Sequence, residues 1–91
     1  MERRNQARAL VAAALANVEA ELASASRTLC PVQLGTCRDT LKGYLAGLDS
    51  GALPPKRERT ERLGRMIADS WPYDAPLGPI VIQAERAWRN A

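Results

Sequence analysis

Two apolar stripes of helical period constrain this chain more than any other feature. Val11, Leu15, Val18, Leu22, Ala25 and Leu29 step by four and three residues without a fault. After Pro31 the same stepping resumes at Leu34, Cys37, Leu41, Tyr44/Leu45 and Leu48. Such spacing aligns side chains on one face of a helix and makes a heptad-like seam. It predicts a first helix over residues 3–28 and a second over 31–49. Alanine, the best helix former, fills much of the first. Ala7, Ala12 and Ala14 beside its seam let a neighbouring helix approach closely, whereas Glu19 and Glu21 flank the second half and are solvated. The short break at Thr28-Leu29-Cys30-Pro31 makes the two helices antiparallel. Gly51 closes the second as a left-handed cap.

Leu53-Pro54-Pro55 opens the third helix. Its polar run, PKRERTER, pairs Glu58 with Arg62 and Glu61 with Arg65 at the i, i+4 spacing. Its apolar side carries Leu63, Ile67 and Trp71, with Met66 alongside, and Pro72 ends it. Asp74 is the expected N-cap of a fourth helix that begins between 75 and 79. Leu77, Ile80, Val81, Ala84 and Trp88 share that helix's apolar face. No run of alternating Val, Ile, Thr and aromatics predicts a strand. The expected fold is all-α, a compact antiparallel bundle of about four helices, with residues 1–91 forming one domain.

Composition narrows the function mainly by exclusion. The sequence has no histidine, so the commonest general base and metal ligand is absent. The acidic residues read as scattered over helix surfaces, with no pair isolated in a cleft. Ser24 and Ser26 have no base partner nearby in sequence. No glycine-rich phosphate loop or metal-ligand spacing occurs. The expectation is a protein that is not an enzyme and needs neither cofactor nor metal. Cys30 and Cys37 would be roughly 10 Å apart on a helix, too far for a disulfide, so both read as free thiols of a reducing cytoplasm.

No apolar run approaches the ~18 residues of a membrane span. Arg3, Arg4 and Arg8 around ALVAAALA, with Ala23-Ser24-Ala25 beyond, imitate a signal peptide. Asn17 interrupts that run, however, and the helical period continues past the supposed cleavage point. Net charge is +3, and residues 51–71 hold a surplus of two. The PKRERTER face could follow a phosphate backbone, but Glu58 and Glu61 interrupt it. No Asn or Gln on the third helix reads bases. A solvated, ion-paired face is the expectation, which argues against nucleic acid.

The stretch Trp71-Pro72-Tyr73-Asp74 is unusual because it places half of the four aromatic residues in a proline-punctuated bend. Trp71 keeps the period of the third helix and is expected to close the end of the bundle. Tyr73 and Asp74 fall outside any period. An exposed aromatic beside an acid on a stiff loop has the composition of a binding hot spot.

Two segments also resemble a known family. Gln33-Leu34, then Cys37-Arg38, then Leu41 is similar to a Gln-Leu, apolar-Arg, Leu pattern. Leu63-Gly64, with Trp71 eight residues past Leu63 and then Asp74 to Leu77, is similar to a Leu-Gly, aromatic, Asp-Pro-x-Leu run. Both patterns occur in the small helical immunity proteins that bacteria with type VI secretion systems use against their own NAD(P)-degrading or nucleotide-modifying effectors. The resemblance covers residues 29–84. It departs at Ser70, where the family carries an acid, and at Asp74-Ala75-Pro76, where the Asp-Pro step is shifted by one. The family's glutamate after that proline is missing.

The resemblance implies a cytoplasmic protein, monomer or homodimer when free, that binds a cognate toxin effector domain and occludes its active site. It implies Tyr73, Asp74, Trp71 and Arg38 as contact residues, and no membrane association. The alternative is a small nucleic-acid-binding or regulatory helical protein. A secretion chaperone or phage structural adaptor fits the same helices.

Overall fold

A computed structural model describes residues 2–25 and 27–91; Met1 and Ser26 lie outside the described residues. The fold is all-α. Helix α1 spans Glu2–Ala23, α2 Pro31–Ser50, α3 Arg62–Ser70 and α4 Leu77–Asn90, with a 3₁₀ turn at Lys56–Glu58 before α3. Helix α1 packs against both α2 and α4, and α3 lies on α4. The molecule measures 38 × 23 × 19 Å.

The directions of the helices follow from their cross-links. Arg8, near the start of α1, pairs with Asp49 at the end of α2, so these two run antiparallel. Asn17 and Glu21 of α1 face Leu77 and Ile80 of α4 across one groove, while Arg3 and Gln6 face Ala87 and Asn90 across another. Helices α1 and α4 are therefore antiparallel as well.

The apolar stripe of α2 is buried as its spacing predicts: Leu34, Cys37, Leu41, Tyr44 and Leu48 all lie in the core. Full burial of a leucine such as Leu34 or Leu41 contributes about 1.5–3 kcal/mol. Gly51 ends the helix at φ 76°, a left-handed conformation that glycine adopts without a Cβ penalty.

On α1 the buried line is Ala7, Val11, Ala14 and Val18. The expected seam is thus rotated toward the alanine side. Leu15 and Leu22 are only half-buried against the core, because α1 has two neighbours and its small residues admit both. The helix also stops five residues earlier than the period predicts. Ser24 N–H turns back to the Glu21 carbonyl, and Arg27 Nη1 donates to the Leu22 carbonyl. Ala25 is consequently exposed outside the helix, while Leu29 reaches the core from the connection.

The third helix differs most from expectation. PKRERTER is not one continuous helical face. A 3₁₀ turn, then Arg59 and Thr60, precede α3. The expected Glu58–Arg62 and Glu61–Arg65 ion pairs do not form among the described residues. Glu61 instead reaches Arg86 at 3.6 Å and Arg89 at 3.3 Å on α4. Arg59 explains the break. It is buried, donating from Nε to the Pro54 carbonyl at 2.8 Å and from Nη1 to the carbonyls of Trp88, Arg89 and Ala91. A cation at a helix C-terminus satisfies carbonyls that lack intrahelical partners and offsets the negative end of the macrodipole.

Helix α4 begins at Leu77, with Pro76 already in helical conformation. No side chain caps it, so Asp74 is not its N-cap. Pro79 stands in the first turn, where a missing N–H leaves no helical hydrogen bond unmade. Ile80, expected on the apolar face, is exposed beside this end of the bundle.

Candidate functional site

The bend after α3 is held from below. Trp71 N–H donates to the Ile67 carbonyl, and its ring is buried. Its indole Nε1 donates to Gln33 Oε1 at 3.1 Å, tying the bend to the first turn of α2. Gly78 lets α4 approach closely here, since a Cβ at that position would lie 3.3 Å from Ile67 Cγ2. Pro72 to Ala75 then form a tight turn, closed by Ala75 N–H donating to the Pro72 carbonyl at 3.1 Å. Tyr73 and Asp74 are its two central residues. Tyr73 is fully exposed.

Of the four residues singled out in the sequence, three therefore belong to one feature. Tyr73 and Asp74 form the tip, and Trp71 is its buried brace. Arg38 is not joined to them by any hydrogen bond or ion pair among the described residues. Its Nε donates to Asp39 Oδ1 at 3.0 Å on the same helix. Val32, 78% exposed, is an apolar residue the period did not flag. It precedes Gln33, so it flanks the Gln33–Trp71 bond. Its position off the 34/37/41 stripe, in the first turn of α2, was the available signal.

Behind the turn runs an open groove of about 540 Å³ between the end of α1 and the start of α4. Leu29, Pro72, Pro76, Leu77 and Ile80 give it apolar walls, and Glu21 and Asp74 give it negative charge. No lysine or arginine lines it. This end of the bundle thus offers an exposed aromatic tip, apolar surface and acidic side chains.

The expectation that all acidic residues are surface groups fails at Glu85. It is 1% exposed. Its carboxyl accepts from Tyr44 Oη at 2.7 Å and from the backbone N–H groups of Leu63 at 2.9 Å and Gly64 at 2.8 Å. Those N–H groups belong to the first turn of α3, which has no local side-chain cap. Glu85 follows Val81 and Ala84 on the buried face of α4, and that register is the sequence signal for it.

Tyr44 is stacked on Trp88 with ring centroids 3.8 Å apart and planes 14° from parallel. Burial, then the Glu85 hydrogen bond, hold its phenol well above the ordinary range. Burial, reinforced by the Glu85 charge, pushes the nearby Cys37 thiol up to about 11. A thiol kept protonated in the core is a poor nucleophile. Among the described residues every buried polar side-chain atom has a hydrogen-bond partner. The cluster therefore serves as a structural clamp.

Among the described residues no group of His, Cys, Asp and Glu is placed to hold a metal ion, and no helix is long and apolar enough to cross a membrane. No protein-family model matches the sequence, and no curated protein is significantly similar to it.

Proposed function

We propose that this protein is an immunity-type inhibitor, a cytoplasmic protein without catalytic activity that neutralises a toxin domain by plugging its substrate cleft. The observation that carries the proposal is Tyr73. A large aromatic stands fully exposed at the tip of a turn whose base is fixed by a buried tryptophan and a cross-helix hydrogen bond. Such a residue adds nothing to the core. It loses little entropy on docking, because proline and the Trp71–Gln33 link already restrict the turn. Aromatic anchors of this kind dominate binding energy at protein interfaces.

The groove beside the turn adds apolar contact area and the charges of Glu21 and Asp74. A basic cleft, as an enzyme acting on nucleotides or phosphorylated substrates would have, complements that charge. The likeness of Gln33-Leu34 and of Leu63-Gly64 through Leu77 to the immunity family points the same way. Gln33 and Trp71, one from each segment, are hydrogen-bonded partners here.

The test is co-expression with NAD(P)-degrading or nucleotide-modifying toxin domains, beginning with any encoded beside this gene. Tyr73→Ala should leave folding intact and abolish protection at limiting expression. Protection equal to wild type would overturn the proposal.

A further inference from the structure

At the opposite end of α3 from the Tyr73 turn lies a second pocket, of about 460 Å³, in which Arg57, Arg62, Arg65 and Arg89 surround Thr60 and Glu61. We propose that this pocket binds a discrete phosphate or diphosphate group of a small molecule.

Most of the arginine charge around this pocket makes no ion pair inside the fold. Glu61 is the pocket's carboxylate, and it pairs with Arg89 and with Arg86 just outside. The side chains of Arg57, Arg62 and Arg65 are exposed and have no hydrogen-bond or ion-pair partner among the described residues. Three guanidinium groups thus face one concave site with their donors turned to solvent. Their mutual repulsion, screened by solvent and partly offset by Glu61, falls further when an anion binds.

The frame beneath them is fixed. Arg59 anchors the preceding loop to the Pro54 carbonyl and to the end of α4, and it fixes the backbone on either side between Arg57 and Glu61. Glu85 anchors the first turn of α3, which carries Arg62 and Arg65. The arginines therefore extend from backbone that is already positioned, so the ordering cost of binding falls mainly on the side chains.

The class of anion follows from donor geometry. A carboxylate has two oxygens, enough for one or two guanidinium forks, whereas a phosphate or diphosphate presents more acceptors around a compact centre. Thr60 adds a hydroxyl at the pocket wall. A continuous nucleic-acid backbone fits less well. Glu58 and Glu61 interrupt the basic run, so the positive field is confined to one pocket and does not form a track.

The test is titration of the ¹⁵N-labelled protein with pyrophosphate, followed by amide and arginine side-chain shifts. Saturable shifts should be confined to residues 57–65 and 89. In the Arg62→Gln/Arg65→Gln double variant, pyrophosphate should bind at least about tenfold more weakly, the equivalent of about 1.4 kcal/mol. Both side chains are exposed and unpaired, so the variant should melt as wild type does. Arg3→Gln, an exposed arginine elsewhere, should bind pyrophosphate normally. Equal affinity in the double variant, or shifts that never saturate, would overturn the proposal. So would a single-stranded oligonucleotide that binds more tightly than pyrophosphate with a steep salt dependence. Toxin protection depends on the far end of α3 and is scored separately.

Discussion

The Tyr44 hydroxyl donates to Glu85 Oε2 across 2.7 Å in the centre of the bundle, joining α2 to α4. The same carboxyl holds two N–H groups of α3. Three of the four helices therefore meet at one side chain.

Glu85→Ala should be among the most destabilising substitutions in the chain. It leaves the Leu63 and Gly64 N–H groups and the Tyr44 hydroxyl without an acceptor, and should cost about 3 kcal/mol or more. Tyr44→Phe removes one donor and should cost about 1–2 kcal/mol. Urea unfolding of both single variants and the double variant gives the coupling directly. Additive effects would mean that the pair is not a unit.

Arg59→Ala should release the end of α4 and the loop before α3 together, costing about 2–3 kcal/mol. Arg59→Lys should recover little. One ammonium cannot reach both the Pro54 carbonyl and the α4 carbonyls, which the planar guanidinium bridges. Hydrogen exchange in the last turn of α4 reads this, with faster exchange expected in both variants.

The bend separates stability from binding. Trp71→Ala empties a buried site and should cost about 3–5 kcal/mol. Tyr73→Ala removes a side chain that is in solvent and should change stability by less than about 0.5 kcal/mol. The same Tyr73→Ala should weaken toxin binding by about 2 kcal/mol or more. Melting temperatures and calorimetric titration of both variants are the measurement. A Tyr73→Ala variant that melts early would make the tip part of the fold.

The thiols should report burial. Cys30 is exposed and Cys37 is buried, so a thiol reagent near neutral pH should label Cys30 at once and Cys37 only as the protein unfolds. Raising a thiol's value from 9.0 to about 11 means that the folded state holds its proton more tightly. The resulting stabilisation is fully present below pH 9.0 and is lost as pH rises through about 11. Tyr44 acts in the same direction at higher pH. Unfolding free energies at successive alkaline pH values should therefore fall more steeply for wild type than for Cys37→Ala.

How far the sequence could be read depended on the range of the interactions. The α2 stripe from Leu34 to Leu48 was legible because one helical period buries all of it. Trp71 was legible as the next step after Leu63 and Ile67, and Tyr73 as a residue outside any period. The start of α3 was not legible. Its N-terminal groups are satisfied by Glu85, over 20 residues away, and the loop before it by contacts of Arg59 with the end of α4. Local patterns carry no record of such pairings. The pull toward i, i+4 ion pairs in PKRERTER was a correct local preference overridden by burial of Arg59. The end of α1 was missed for a related reason. Helical spacing continues from Leu22 to Leu29, but Leu29 enters the core from a loop.

Helix α3 is nine residues long, and its first-turn amides are held by a residue from a later helix. A helix this short does not persist alone in water. The α1–α2 hairpin closes through nearby chain, whereas α3 must wait until α4 delivers Glu85. This predicts an order of assembly in which α3 forms only once α4 has docked on α1. Substitutions at Leu41 should slow refolding, while substitutions at Glu85 or Gly64 should leave refolding nearly unchanged and accelerate unfolding. Stress that unfolds the bundle should therefore release α3 together with α4, and with them the backbone that carries the arginine pocket.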